Sequence, residues 1–155
     1  MLTAPMFEDR RSQPYAGIAV RVPMNELGAV VPPLIPEIVD WLGRRGIEPA
    51  GPPFFRYRVI NMAGSLEIEA AVPAAGVAAG DDRVRSGSLP AGRYVTAVHT
   101  GYPDDRVNGT AELLAWAEAN GVTWQVADSA DGEVWAARLE FYLTDPRQEP
   151  DIAKW

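Results

Sequence analysis

An internal repeat constrains the fold of this chain more than any other feature of its sequence. Three blocks recur in the same order at offsets of 73 to 79 residues: 15–20 with 94–99, 41–47 with 116–122, and 66–73 with 139–146. The middle block has one pattern in both copies, a tryptophan followed by four residues, a glycine and an aliphatic residue. Matched blocks with slightly different spacing indicate a duplicated unit whose loops have changed in length.

The first copy, residues 15–73, has the pattern of a β-α-β-β unit. Apolar residues recur at the i, i+3, i+4 and i+7 spacing of one helix face: Ile35, Ile38, Val39 and Leu42. This helix is predicted to begin at the prolines 32–33 and to end at Gly46. The flanking segments predict the strands 15–22, 54–60 and 66–72.

The second copy, residues 92–146, follows the same order. It predicts a helix over 104–120 and the strands 92–100, 123–128 and 134–143. Residues 74–89 are interpreted as the connecting loop. We therefore predict a single α+β domain over residues 1–155, in which duplicated β-α-β-β units form an antiparallel sheet with two helices and a ligand groove between them.

The composition excludes several kinds of chemistry. The 155 residues include no cysteine and one histidine, and Lys154 is the only lysine, which excludes thiolate catalysis, Cys/His zinc sites and a P-loop. We therefore expect no metal and no other cofactor. The formal net charge of −7 disfavours direct nucleic-acid binding. Without a signal peptide or a long apolar segment, we expect no membrane association and a cytoplasmic location.

The strand over residues 134–143 carries the acid best suited to a ligand site. Alternation places Arg138, Glu140 and Tyr142 on one face. From the residues alone, a solvated strand face with a cross-strand ion pair is favoured over a ligand site. The repeat counterpart of Glu140 is Glu67, which with Glu69 forms either a second anionic wall or an exposed strand edge.

The aromatic residues and the histidine each allow two interpretations. Trp41 and Trp116 hold equivalent helix positions, which suit either groove walls or ordinary helix–sheet packing. Alternation sends Phe55 and Tyr57 to one side of their strand, so that this pair lines either a pocket or the core. His99 is either a polar lining residue or a structural one, because no serine has the sequence context of a nucleophile.

Several of these segments together resemble one family. They are Leu-Pro-Ala-Gly-Arg-Tyr at 89–94, His-Thr-Gly at 99–101, Leu-Glu-Phe-Tyr-Leu-Thr-Asp-Pro at 139–146 and the duplicated plan. From residue 16 to its end the chain resembles the GyrI-like small-molecule-binding domain, the effector-binding module of AraC- and MerR-type multidrug regulators. The family's usual Gly-Pro-Tyr before the second helix reads Gly101-Tyr102-Pro103 here.

The resemblance implies a ligand and a central residue. Family ligands are typically lipophilic cations held by aromatic walls around a carboxylate on the last strand, which falls on Glu140. With this resemblance, the candidate ligand-binding residues are Glu140, Tyr142, Glu67, Trp41, Trp116, Phe55, Tyr57, Tyr94 and His99. Because only about 14 residues precede the first predicted strand, the chain resembles the stand-alone members that lack a DNA-binding helix-turn-helix.

Two main functions follow as expectations. The first is binding, sensing or sequestration of hydrophobic small molecules that are cationic or electrophilic. The second, in a different class, is cofactor-independent hydrolysis of cyclopropane-containing alkylating toxins, with Glu140 as general base and Tyr142 positioning the substrate or protonating the leaving group. A third interpretation is a regulator that binds a basic protein partner. The sequence decides neither between these functions nor between monomer and homodimer.

Overall fold

The computed structural model describes residues 1–61, 63–77 and 79–155. These residues form two compact units. One, which we call the sheet unit, comprises Ser12–Pro90 and Gln125–Tyr142. The other, the terminal unit, comprises Met1–Arg11, Ala91–Trp124 and Leu143–Trp155.

Within the described residues, the secondary structure consists of nine strands, three α-helices and short 3-10 turns. The strands are β1 Met6–Arg10, β2 Gln13–Pro23, β3 Phe54–Ile60, β4 Ser65–Pro73, β5 Arg85–Leu89, β6 Gly92–Thr96, β7 Val126–Ser129, β8 Gly132–Trp135 and β9 Leu139–Phe141. The helices are α1 Leu27–Val30, α2 Leu34–Arg44 and α3 Arg106–Ala119. Every paired strand is antiparallel to its neighbour, and the predicted α+β class is confirmed.

A seven-stranded sheet forms the sheet unit. Its strand order is β5-β2-β4-β3-β8-β7, and β9 also pairs with β3. The longest ladder joins β2 to β4, from Tyr15 opposite Pro73 to Pro23 opposite Ser65. Because cross-strand partners share a face, Phe55 lies on the face of Ala70 and Glu140, which we call the front face. The opposite, back face carries Phe54 and Arg56.

Helix α2 covers the front face of β2 and β4. It contacts both strands and buries Leu34, Ile38, Trp41 and Leu42. Ile18 and Ile68 are buried on the front face, whereas Ala19 and Arg21 on the back face are exposed. The periodicity predicted the helix but only part of its buried surface. Ile38 and Leu42 are buried as predicted, whereas Val39 is 44% exposed and Leu34 and Trp41 complete the buried surface.

The back face curls around its own apolar cluster. Tyr15, Phe54, Ala71 and Leu89 are buried there, with Leu139 and Phe141 packed against them. The ring of Tyr15 lies so close to β5 that a Cβ atom at Gly87 would be 2.5 Å from its Cζ. Only glycine fits this approach.

The terminal unit contains a separate two-stranded sheet. Strand β1 pairs with β6, from Met6 opposite Thr96 to Arg10 opposite Gly92. The predicted second helix, 104–120, corresponds to α3. A 3-10 turn, Pro103–Asp105, directly precedes α3. Strand β1 was not predicted, because three of its five residues are charged and only the pairing with β6 makes the segment a strand.

The strands of the second copy differ from the prediction. The predicted strand 134–143 is divided into β8 and β9, with residues 136–138 outside both. A β-bulge between Tyr57 and Val59 explains the division, because β9 pairs with β3 before it and β8 after it. The predicted strand 92–100 ends at Thr96.

The predicted connecting loop also contains regular structure. Of residues 74–89, residue 78 lies outside the described residues, and the last five form β5. Strand β5 pairs with β2 through backbone hydrogen bonds, which its polar sequence did not reveal. In the parts of the chain that the structure describes, no helix has the length and apolar character needed to span a bilayer.

Candidate functional site

Glu140 lies at the centre of a small cluster on the front face. The Tyr57 hydroxyl donates a hydrogen bond to Glu140 Oε1 at 3.0 Å. The Tyr142 hydroxyl donates another to Oε2 at 3.2 Å. Two phenols from different strand segments therefore orient one carboxylate through both of its oxygens.

Aromatic rings surround this carboxylate. Phe55 lies opposite Glu140 in the β3–β9 ladder, and its ring centroid is 4.9 Å from that of Tyr142, with the planes tilted by 59°. Phe55 is 4% exposed, whereas Tyr57, Glu140 and Tyr142 are half-buried. We call these four residues the Glu140 site. It combines an anionic group, an apolar wall and access to solvent.

The structure thus brings together four of the predicted ligand-binding residues. They come from two segments about 85 residues apart in the sequence, which the β3–β9 pairing joins. Backbone hydrogen bonds support the pairing at both ends. The Tyr57 amide donates to Arg138 O and the Tyr142 amide donates to Pro53 O, both at 2.9 Å. The two tyrosines are therefore fixed by backbone pairing as well as by the carboxylate.

Glu67 is not part of this site. The regular β2–β4 ladder places it on the back face, opposite Arg21, whose guanidinium lies 3.7 Å from its carboxylate. The repeat had aligned Glu67 with Glu140, but the two strands present these positions on opposite faces of the sheet. Glu67 is half-buried on β4, which lies between β2 and β3 and is not a strand edge.

Trp41 packs inside the sheet unit. It is 4% exposed, and its Nε1 donates a hydrogen bond to Asp81 Oδ2 at 2.9 Å. The Arg45 guanidinium lies 3.7 Å from the indole centroid, in a cation–π contact. Trp41 therefore has the contacts of helix–sheet packing, the second of its two interpretations.

The hydrogen bonds of Asp81 hold the segment before β5 against α2. Its other oxygen, Oδ1, accepts from the amides of Arg83 and Val84. The hydrogen bonds from Trp41 and from these two amides lower the pKa of Asp81 to about 2. This residue was missed at the sequence level, where 74–89 was interpreted as a plain loop.

The other three predicted residues belong to the terminal unit. Trp116 packs on Phe7, with ring centroids 5.8 Å apart. Tyr94 lies 5.9 Å from the Arg10 guanidinium. His99 pairs with Leu2 in an isolated bridge. Their part in ligand binding stays a prediction, as does the groove between α2 in the sheet unit and α3 in the terminal unit.

A second polar cluster lies on the back face, and sequence reasoning missed it. Tyr15 Oη donates to Glu69 Oε1 at 2.5 Å and accepts from Arg56 Nη1 at 2.9 Å. Arg56 and Glu69 are 7% and 8% exposed. The pKa of Tyr15 is raised to about 12, mainly because the hydroxyl is buried and also because it donates a hydrogen bond to Glu69. No signal in the sequence separates Arg56 and Glu69 from the charged residues Arg58 and Glu67 in the same two strands.

Comparison with known proteins agrees with this fold. The family model of the GyrI-like small-molecule-binding domain matches residues 3–153. The chain belongs to the GyrI-like family. This confirms the resemblance found in the sequence, and it establishes a small-molecule-binding domain. No curated protein matches the sequence.

Solved structures show the same fold at low sequence identity. The crystal structure of the EcmrR C-terminal domain has a TM-score of 0.75 and 17% identity, covering 98% of this chain and 91% of that one. The EcmrR chain in the cryo-EM structure of the EcmrR–DNA complex has a TM-score of 0.75 and 16% identity to this chain. The match covers 98% of this chain and 54% of the EcmrR chain, so this chain spans about half of that regulator's length. An integron cassette protein of Vibrio cholerae has a TM-score of 0.50 and 12% identity, covering 92% and 90%.

Proposed function

We propose that this GyrI-like domain binds lipophilic cations at the Glu140 site and so senses or sequesters them. The observation that carries the proposal is the pair of hydroxyl hydrogen bonds from Tyr57 and Tyr142 to one half-buried carboxylate. A carboxylate held in this way is a fixed counter-charge, which costs little reorganisation when a cation binds. Each aromatic ring that contacts the cation adds about 0.5 to 2 kcal/mol.

The shape of the site favours flat or aryl-substituted cations over small inorganic ones. Phe55 and Tyr142 present an apolar wall beside the charge, and such a wall gains free energy only from apolar ligand surface. A small hydrated cation would gain little from that surface and would lose water. We therefore expect selectivity for ligands that combine a delocalised positive charge with aromatic groups.

The test compares two ligands of similar shape and different charge. Tetraphenylphosphonium is the cationic probe, and triphenylphosphine oxide is the neutral one, each titrated calorimetrically into the protein. Glu140→Gln should weaken cation binding about tenfold and change binding of the neutral probe less than about twofold.

Glu67→Gln is the matched control. It removes the same charge from the same sheet, on the opposite face. If Glu67→Gln weakens cation binding as much as Glu140→Gln does, the effect comes from the net charge of the protein and the proposed site is wrong.

The same geometry supports hydrolysis as a second candidate function. Glu140 would accept a proton from water while the water oxygen bonds to a carbon of a strained ring. The electron pair of the broken carbon–carbon bond would pass into the attached acceptor group, which the Tyr142 hydroxyl then protonates. The specific observation in favour is that a proton donor and a proton acceptor already share a hydrogen bond here.

Turnover separates the two functions. A cyclopropane-type alkylator is supplied in large molar excess, and the released alcohol is counted per protein. Many equivalents of product, abolished in Glu140→Gln and reduced in Tyr142→Phe, would support hydrolysis. Consumption that stops at one equivalent would rule it out and leave binding as the function.

A further inference from the structure

The buried guanidinium of Arg56 connects segments from both sides of the curled sheet. Its Nη1 donates to Tyr15 Oη on β2 and, at 3.3 Å, to Ser88 O on β5. Its Nη2 donates to Ala136 O, between β8 and β9, at 2.9 Å. In a flat sheet, β3 and β5 would be three strand spacings apart, about 14 Å. One arginine side chain can reach both carbonyls only because the sheet curls around it.

The contact with Ala136 lies next to the Glu140 site. Strand β9 pairs with β3 through only three residues, and the preceding residues 136–138 belong to no strand. Ala136 is held at both backbone atoms, because its amide donates to Gln125 O at 3.0 Å and its carbonyl accepts from Arg56. Arg56 therefore holds the segment that leads directly into β9.

Arg56 is also the residue between Phe55 and Tyr57. Their side chains form part of the Glu140 site on the front face, while that of Arg56 lies on the back. A displacement of the Ala136 segment would change the register or tilt of β9, and the carboxylate would move away from the Tyr57 hydroxyl. Tyr15 links the opposite charges of Arg56 and Glu69. Buried opposite charges contribute little net stability after desolvation, so the effect of this cluster lies mainly in the geometry that it fixes.

We propose that Arg56 is a positioning residue for the Glu140 site, which acts from the back of the sheet by fixing the Ala136 segment and hence β9. The proposal rests on the proposed ligand site. Lysine cannot replace arginine here, because one ammonium group cannot donate at once to Tyr15 and to Ala136 on different sides. Arg56→Lys keeps the positive charge beside Glu69 and removes the simultaneous hydrogen bonds to Tyr15 and Ala136. It is therefore the variant that tests the proposal.

The first measurement needs no ligand. Native-state hydrogen exchange is followed at the amides of Tyr57 and Tyr142, which report the attachment of β9, and at the amides of the β2–β4 ladder. Arg56→Lys should accelerate exchange at Tyr57 and Tyr142 about tenfold relative to the ladder. Tyr15→Phe is the matched control, because it removes one partner of Arg56 and leaves both carbonyl contacts. In this control the exchange ratio should stay as in the wild type.

The second measurement is a double-mutant cycle on binding of tetraphenylphosphonium. Arg56→Lys should weaken binding about tenfold in the wild-type background and less than about twofold in Glu140→Gln, since a residue that acts through Glu140 has little effect without it. Equal losses in both backgrounds would overturn the positioning role.

The exchange experiment also distinguishes the two proposals. Uniform acceleration over the whole sheet, or the same exchange ratio in Tyr15→Phe and Arg56→Lys, shows that Arg56 is a general stabiliser and overturns the inference. If the wild-type protein does not bind tetraphenylphosphonium, the cation site fails, and the exchange ratio alone still supports or overturns the positioning role.

Discussion

Two carboxylates of the sheet unit, Glu140 and Glu69, accept tyrosine hydroxyl hydrogen bonds on opposite faces of the same sheet. Glu140 is half-buried and accepts from Tyr57 and Tyr142. Glu69 is 8% exposed, and Tyr15 links it to the Arg56 guanidinium. The comparison shows that the hydrogen-bond donors alone do not distinguish the proposed ligand site from the buried structural cluster. The extent of burial does.

The difference follows from electrostatics. A fully buried carboxylate needs a counter-charge, since the desolvation of an isolated ion costs several kcal/mol. A carboxylate at an open aromatic wall keeps part of its hydration until a ligand replaces it. The first arrangement fixes the fold, and the second suits exchange of ligands.

The largest expected effect is the loss of stability on removal of Glu69, the buried carboxylate of the two. Glu69→Ala leaves the Arg56 guanidinium buried without its compensating charge, which should lower the free energy of unfolding by about 3 kcal/mol. Glu140→Ala, at the open site, should lower it by less than about 1 kcal/mol. Urea unfolding at pH 7 measures both. Similar losses for the two variants would contradict the distinction between the faces.

The second prediction compares the tyrosines through pH. Burial and Glu69 raise the pKa of Tyr15 from 10.0 to about 12, so the folded state holds its proton where the unfolded state releases it. This contribution to stability is complete below pH 10 and is lost as the pH rises towards 12. Tyr15→Phe should therefore show a smaller loss of stability between pH 9 and pH 11 than the wild type.

The control for this prediction is Tyr57→Phe on the front face. It removes a half-buried tyrosine from the same sheet and keeps Tyr15. Urea unfolding at a series of pH values should give this variant the steep alkaline loss of the wild type. A wild-type slope in Tyr15→Phe would show that Tyr15 is not the group responsible.

The smallest effect concerns a third carboxylate, Asp81, whose donors are Trp41 and two backbone amides. Because these hydrogen bonds lower its pKa from 3.8 to about 2, its stabilising effect is complete above pH 4 and is lost as the pH falls towards 2. Asp81→Asn should be less stable than the wild type at pH 7, and the difference should disappear near pH 2. Asp82→Asn, at the exposed neighbouring residue, should show no such convergence.

Local patterns in the sequence predicted a large part of this structure. The spacing of Ile35, Ile38 and Leu42 predicted α2, because the side chains on one helix face repeat every 3.6 residues wherever the helix packs. Alternation of apolar and polar residues predicted β2, β3 and β4, because successive side chains of a strand point to opposite faces of the sheet. The motif at 139–146 identified the family, which the match over residues 3–153 confirms.

The candidate site was predictable only in part. Phe55, Tyr57, Glu140 and Tyr142 were all named from the sequence, yet so was Glu67, which lies on the other face. The repeat aligns Glu67 with Glu140 but says nothing of which face each strand buries. Arg56 was missed, because alternation places it behind the site and its partners come from three other segments.

The sequence by itself determined the family, the α+β class, two of the three α-helices that the structure describes and most strands, since these depend on local periodicity and on turn and strand motifs within each copy. Only the tertiary structure decided that β8 and β9 join β3 on either side of a bulge, that β1 pairs with β6, and that two tyrosines meet Glu140. Pairing between distant strands depends on register and on the buried side chains between them, and neither is encoded in any one segment.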